Sequence, residues 1–199
     1  MRLSRILSTT ILAAVSFVAA IPAISQTAPA AYQGTLPFTI GGGASNLNVD
    51  WGKNRMFGYS IWGDWHPGSL PRLLEGFGLE VEARDLDFGR NAGLPADFRQ
   101  DTVGGGPIYT YRRFARFRPY GKILIDYGRF NTASSLGVLT DRVYAPAFGF
   151  EYHAIQRLWV RADYEYQDWP NLLNDGKNLD PQGFTLGLSY DFRSIRFFR

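Results

Sequence analysis

The sequence predicts an all-β fold: an eight-stranded antiparallel barrel that crosses a membrane on its strands, with short turns at one end and longer loops at the other. Three observations carry this. The stretch Gly183–Phe192 alternates without interruption, with Phe184, Leu186, Leu188, Tyr190 and Phe192 on one face and Thr185, Gly187, Ser189 and Asp191 on the other. Similar stretches recur along the chain, eight in all, divided by runs rich in Gly, Pro, Asn and Asp. No stretch beyond the N-terminal apolar run is apolar enough for a spanning helix, and a closed barrel is the other way to pair every backbone group in lipid.

The chain opens with a secretory-type signal over residues 1–25. Arg2 and Arg5 give a positive start, Ile6 to Ile24 is apolar, and Ala23-Ile24-Ser25 offers small residues at the positions a signal peptidase reads. Residues 26–35 form an Ala/Pro-rich lead-in, 36–192 the barrel, and 193–199 a short tail. The first strand, Leu36–Trp51, is poorly patterned and holds Gly41, Gly42 and Gly43 in a row. Arg55–Trp65 sets Phe57, Tyr59, Ile61 and Trp65 against Gly58, Ser60, Trp62 and Asp64. Pro67–Leu74 breaks the pattern as a turn. Glu75–Asp87 sets Phe77, Leu79, Val81 and Ala83 against Gly78, Glu80, Glu82 and Arg84.

A long polar loop, Phe88–Asp101, precedes the fourth strand, Thr102–Arg113. After a tight connection at Phe114–Arg118 the fifth strand, Pro119–Phe130, sets Ile123, Ile125 and Tyr127 against Tyr120, Lys122, Leu124 and Asp126. A second long loop, Asn131–Arg142, leads to Val143–His153, in which Pro146 argues against a central strand position. Ala154–Gln156 is a short turn. Arg157–Asp168 sets Leu158, Val160, Ala162, Tyr164 and Tyr166 against Arg161, Asp163, Glu165 and Gln167. A third long loop, Trp169–Pro181, precedes the closing strand. Connections read short after strands two, four and six and long after three, five and seven, with a short one after strand one.

The polar face is charged on several strands: Glu80, Glu82, Arg84, Lys122, Asp126, Glu151, Arg161, Asp163, Glu165 and Asp191, with Arg112 joining them in one register. Unpaired in an apolar core these groups would be prohibitively costly. Inside a small membrane barrel they form a network of opposite charges. Eight strands enclose a space that side chains about fill, so the lumen is expected to be plugged.

The closing strand resembles the terminal pattern of outer-membrane barrels, polar-x-Gly-x-x-aromatic-x-aromatic, in Thr185, Gly187, Tyr190 and Phe192. The resemblance implies that the barrel assembly machinery reads these residues. It departs from the pattern in that Arg193–Arg199 follow. Gly106–Arg112 with Arg118-Pro119-Tyr120, and Pro181–Phe184, resemble hairpin and strand-entry pieces of small eight-stranded outer-membrane barrels such as the OmpA transmembrane domain, OmpX and opacity proteins. That family implies a bacterial cell-envelope protein bathed in outer-membrane lipid. Its short turns and both termini face the periplasm, and its longer loops face outward.

Composition excludes several functions. The chain lacks cysteine, which rules out disulfides, thiol catalysis and cysteine–zinc sites. The formal net charge is only +3, with no basic-aromatic patch of the nucleic-acid kind. Aromatic residues make up 16%, which suits boundary belts, and Trp51, Trp62, Trp65, Trp159 and Trp169 read as such anchors. Neither histidine shares a strand with a serine in the His-x-Ser spacing of lipid A deacylase: His66 is followed by Pro67-Gly68, His153 by Ala154-Ile155. Asn171–Asp180 lacks the ligands of a calcium loop, and the glycine triplets lack the Lys-Ser/Thr of a phosphate loop. No catalytic residue, cofactor or metal site is expected. Two other readings stand beside the structural or surface-interaction barrel: a secreted lipocalin-like carrier with the apolar face turned inward, and a lipid A-modifying enzyme.

Overall fold

The computed structural model describes residues 38–49, 55–67, 70, 74–88, 99–131, 137–170 and 178–192. The signal segment, the lead-in, the tail, Trp51 and the centres of the three long loops lie outside them. Eight strands form the molecule: β1 (Phe38–Asn48), β2 (Arg55–Trp65), β3 (Phe77–Asp87), β4 (Arg99–Thr110), β5 (Phe117–Asn131), β6 (Val138–Ile155), β7 (Leu158–Tyr166) and β8 (Gln182–Asp191). Each pairs antiparallel with its sequence neighbour, and β1 pairs with β8 from Thr39↔Asp191 to Asn48↔Gln182, which closes the barrel. Closure leaves no free edge, so every strand finds its backbone partners within the sheet.

Phe192 N–H donates to the Phe38 carbonyl at 3.0 Å, so the two ends of the described chain meet at one end of the barrel, here the proximal end. Residues 66–76, 111–116 and 156–157 connect strands there, while 49–54, 88–98, 132–137 and 167–181 do so at the distal end. The β2–β3 connection is therefore not short. It matches the β3–β4 loop at eleven residues. The second long loop shrinks to residues 132–137, because β5 and β6 run on in register from Phe130↔Leu139 to Asn131↔Val138. β1 stops at Asn48, short of Trp51.

Alternation is faithful to the sequence. Tyr59, Ile61, Leu79, Val81, Ile123, Ile125, Phe148, Leu186 and Leu188 stand exposed, whereas Glu80, Glu82, Lys122, Arg161 and Glu165 are buried inside. The apolar face turns out and the ionic face turns in, which overturns the lipocalin-like reading. On β5 the outward apolar run from Phe117 to Tyr127 covers about 25 Å at the usual strand rise and tilt, the height of an outer-membrane apolar band.

Pro146 lies inside β6, facing outward opposite Ile123. It sits between the Tyr144↔Asp168 bridge and the first β6–β7 ladder pair, Ala147↔Glu165, where a missing N–H costs little. The β6–β7 hairpin turns on Gln156, whose φ of 42° is the left-handed conformation that tight hairpins favour.

Candidate functional site: the lumen and its two ends

Inward-facing positions from four strands, β2, β3, β5 and β7, meet in one buried ionic network. Lys122 on β5 donates to Glu80 Oε1 at 2.7 Å and Glu82 Oε2 at 2.5 Å, both on β3. Arg84, one step further along β3, pairs with Glu82 and forks onto Glu165 of β7, with Nη2 to Oε2 at 2.9 Å. Arg161 is the hub on the proximal side. Its Nη2 donates to Glu80 Oε2 at 2.7 Å, its Nη1 reaches Asp64 Oδ2 at 3.4 Å, and its Nε donates to Tyr120 Oη at 2.7 Å. Tyr120 Oη in turn donates to Asp163 Oδ2 at 2.6 Å. The Arg161 guanidinium also lies over the rings of Trp62 and Tyr120, at 4.7 and 4.5 Å from their centroids.

Above this network, toward the distal end, hydrogen bonds continue into amides. Gln167 Nε2 donates to Glu165 at 2.8 Å, and its Oε1 accepts from Gln100 at 2.7 Å and from Trp169 Nε1 at 3.1 Å. Beyond them the lumen turns apolar. Leu47, Val49, Met56, Leu86, Phe88, Phe130, Val143, Trp169 and Leu179 form one buried cluster across the distal mouth. Trp169 enters it from the β7–β8 loop, tied back through paired backbone bonds to Leu179. Its ring lies on Gly128, where a Cβ would come within 2.2 Å of it. The lumen is therefore stoppered twice, by ions at mid-height and by an apolar cap at the distal mouth.

At the proximal end Arg118 lies over the Trp159 ring at 3.5 Å, with Asp191 at 3.3 Å and Glu151 at 3.9 Å. His66 is buried, its Nε2 3.4 Å from Thr110 Oγ1. His153 lies near the proximal end of β6, with Nε2 2.5 Å from the Gln156 carbonyl oxygen in the following turn. Among the described residues no group of three or more His, Asp or Glu side chains has the arrangement to hold a metal ion.

Of the charges expected in the network, Glu80, Glu82, Arg84, Lys122, Arg161, Asp163 and Glu165 meet at its centre. Glu151 and Asp191 belong to the Arg118 cluster instead. Asp126 is buried beside the network, but its Oδ1 has no hydrogen-bond partner among the described residues. β4 ends at Thr110, which puts Arg112 in the connection that follows it, half-buried. Asp64, Tyr120 and Arg118 were the missed members. All three share inward parity with residues that were identified, Asp64 with Ser60 and Trp62, Arg118 and Tyr120 with Lys122. Arg118 was lost because β5 begins at Phe117, before Pro119.

The tryptophans need correction. Trp65 is exposed at the proximal boundary, but Trp62, Trp159 and Trp169 are buried inside, at 4%, 2% and 0% exposure. Their indoles are large enough to fill a narrow barrel, and the chain makes room for them with glycine. Trp62 covers Gly41 and Gly187, where a Cβ would lie 2.4 and 2.5 Å from its ring. In the closing strand Thr185 faces inward and shares a 2.9 Å hydrogen bond with Ser45, while Tyr190 and Phe192 face outward with rings 4.9 Å apart.

A family profile for the outer membrane protein β-barrel domain matches residues 12–192. Among solved structures, neisserial surface protein A superposes with a TM-score of 0.61 at 16% identity, covering 78% of this chain and 97% of that one. The attachment invasion locus protein of Yersinia pestis gives 0.54 at 17%, covering 77% and 96%. OprG of Pseudomonas aeruginosa gives 0.50 at 16%, covering 77% and 94%. These likenesses are of fold. No curated protein sequence matches the chain.

Proposed function

The chain belongs to the outer membrane protein β-barrel domain family, and from that premise we propose that it is a closed, non-catalytic barrel that acts at the cell surface through its distal loops. The double stopper in the lumen carries this reading. A barrel blocked by a buried ion network and an apolar cap offers solutes no path, so its working surfaces are its ends. The distal end holds the longest connection, 167–181, and the 88–98 loop. In this orientation the proximal turns face the periplasm. A fold neighbour, the attachment invasion locus protein of Yersinia pestis, has been solved with the heparin analogue sucrose octasulfate, which supports contact chemistry at such a surface.

Neither histidine supports lipid A chemistry. His66 lies inside the lumen against Thr110, and His153 is held by the turn carbonyl it contacts. Export with removal of residues 1–25, and insertion by the barrel assembly machinery through Thr185, Gly187, Tyr190 and Phe192, complete the proposal. Exchanging residues 89–98 and 171–177 for short Gly-Ser links, both beyond the ladder, tests it. Adhesion of expressing cells to host-type surfaces should fall while heat-modifiable gel migration, the mark of a closed barrel, persists. Unchanged adhesion, or open-channel conductance from the parent protein in a planar bilayer, would refute the reading.

A further inference from the structure

The proximal turns carry positive charge that no carboxylate among the described residues answers, with Arg113 over the Tyr111 ring at 5.9 Å. Arg113 and Arg116 in the β4–β5 turn and Arg157 in the β6–β7 turn are exposed. The two turns are joined by the His153 N–H, which donates to the Arg116 carbonyl at 2.9 Å. No carboxylate among the described residues lies within ion-pair distance of the three guanidinium groups. Asp64, Glu151 and Asp191 at this end are buried in the lumen, which leaves Glu75, on the β2–β3 turn, as the exposed acid among the described residues there.

The same turns are greasy. Phe114 is 54% exposed and Ile155 66%. Phe114 continues the outward apolar face without a break, with ring centroids 5.5 Å from Tyr111 and 6.4 Å from Phe117, and Phe117 is 5.4 Å from Phe150. An arginine patch that served a soluble polymer or protein would not need an apolar strip running from it into the membrane band. Arginines flanking such a strip lie at the height of lipid phosphates, and guanidinium forks suit phosphate oxygens.

We propose that this end is a recognition site for anionic phospholipid headgroups of the periplasmic leaflet, with Arg113, Arg116 and Arg157 holding the phosphates and Phe114 and Ile155 seated among the acyl chains. The site rests on the orientation given above but not on any role for the distal loops.

The test is native mass spectrometry of the full protein titrated with phosphatidylglycerol or phosphatidylethanolamine of identical acyl chains. One arginine near an anionic surface is worth about fivefold. The parent should retain phosphatidylglycerol roughly tenfold or more over phosphatidylethanolamine, with the preference shrinking as salt is added. The triple variant Arg113→Gln, Arg116→Gln, Arg157→Gln, with its closed barrel verified by heat-modifiable migration, should lose that preference. Equal retention of both lipids by the parent, or an undiminished preference in the triple variant, overturns the proposal. So does tighter retention of a soluble anionic cell-wall muropeptide than of phosphatidylglycerol. A photoreactive phosphatidylglycerol gives a reading that needs no variant: crosslinks should fall within residues 111–117 and 155–157, and crosslinks at the distal end instead would contradict the site. Orientation is checked apart, by placing cysteine at Ala115. Labelling by an impermeant maleimide should require a permeabilised outer membrane. Labelling on intact cells would overturn the assignment to the periplasmic leaflet.

Discussion

Arg161 touches Glu80, Asp64, Asp163 and Tyr120 at once, in a site closed to water. Removing a member of a buried ionic cluster strands its partners, a loss of about 3–5 kcal/mol. Arg161→Met is therefore expected to lower the unfolding free energy in urea by that amount. Asp126 is the opposite case. It is buried, its Oδ1 lacks a hydrogen-bond donor among the described residues, and the central acids Asp64, Glu80, Glu82, Asp126, Asp163 and Glu165 outnumber the buried cations Arg84, Lys122 and Arg161. Asp126→Asn removes one buried acid from a cluster in which acids outnumber cations, at constant size, and the same urea titration should show a gain of about 1 kcal/mol or more. Most of this was legible, because a period of two sends every second residue inward whatever its type. What parity could not say is which acid finds a cation. That depends on relative strand stagger, which puts Glu80 and Glu82 of β3 within reach of Lys122 on β5.

At the scale of elements, the closing strand combines two requirements that its sequence pattern superimposes. Gly187 faces in under Trp62 and against Gly42 and Gly43 of β1, and a Cβ there would meet the Gly42 carbonyl at 2.4 Å. Tyr190 and Phe192 face out and touch no part of the lumen. The two halves should therefore separate on mutation. Gly187→Val should prevent seam closure, giving no heat-modifiable band in refolding with purified lipid alone. Phe192→Ala should refold there as the parent does, yet assemble more slowly in cells, if the aromatic pair is read by the assembly machinery. Equal behaviour of the two variants would deny that division. The apolar cap shows where element-level reading stopped short. Leu86, Phe130 and Val143 fall within the strands read from the sequence, but parity alone does not show that Trp169 and Leu179, from the third long loop, join them across the distal mouth. The inward tryptophans were hidden for a different reason: an aromatic in a membrane barrel reads equally well as a boundary anchor until its strand register is known.

On the scale of the whole molecule, the barrel reverses the usual relation of core to surface. Its apolar residues meet solvent of their own kind and its ions meet one another. Two stoppers in series make a specific expectation about conduction. Trp169→Ala opens the distal cap but leaves Arg84, Lys122 and Arg161 and their carboxylate partners across the bore. Planar-bilayer recordings of parent and Trp169→Ala should both be silent at moderate voltage. An open channel in the single variant would mean that the ionic layer does not span the lumen.

The outward turn of the apolar face is tested most directly by nitroxide labels placed singly along β5 at Ile123, Leu124 and Ile125 of the bilayer-reconstituted protein, with collision rates measured against lipid-soluble oxygen and a water-soluble nickel chelate. Frequent oxygen collisions at Ile123 and Ile125, with Leu124 shielded from both reagents, are the expected result. Oxygen contact at Leu124 with nickel contact at Ile123 and Ile125 would place lipid on the wrong face and contradict the account.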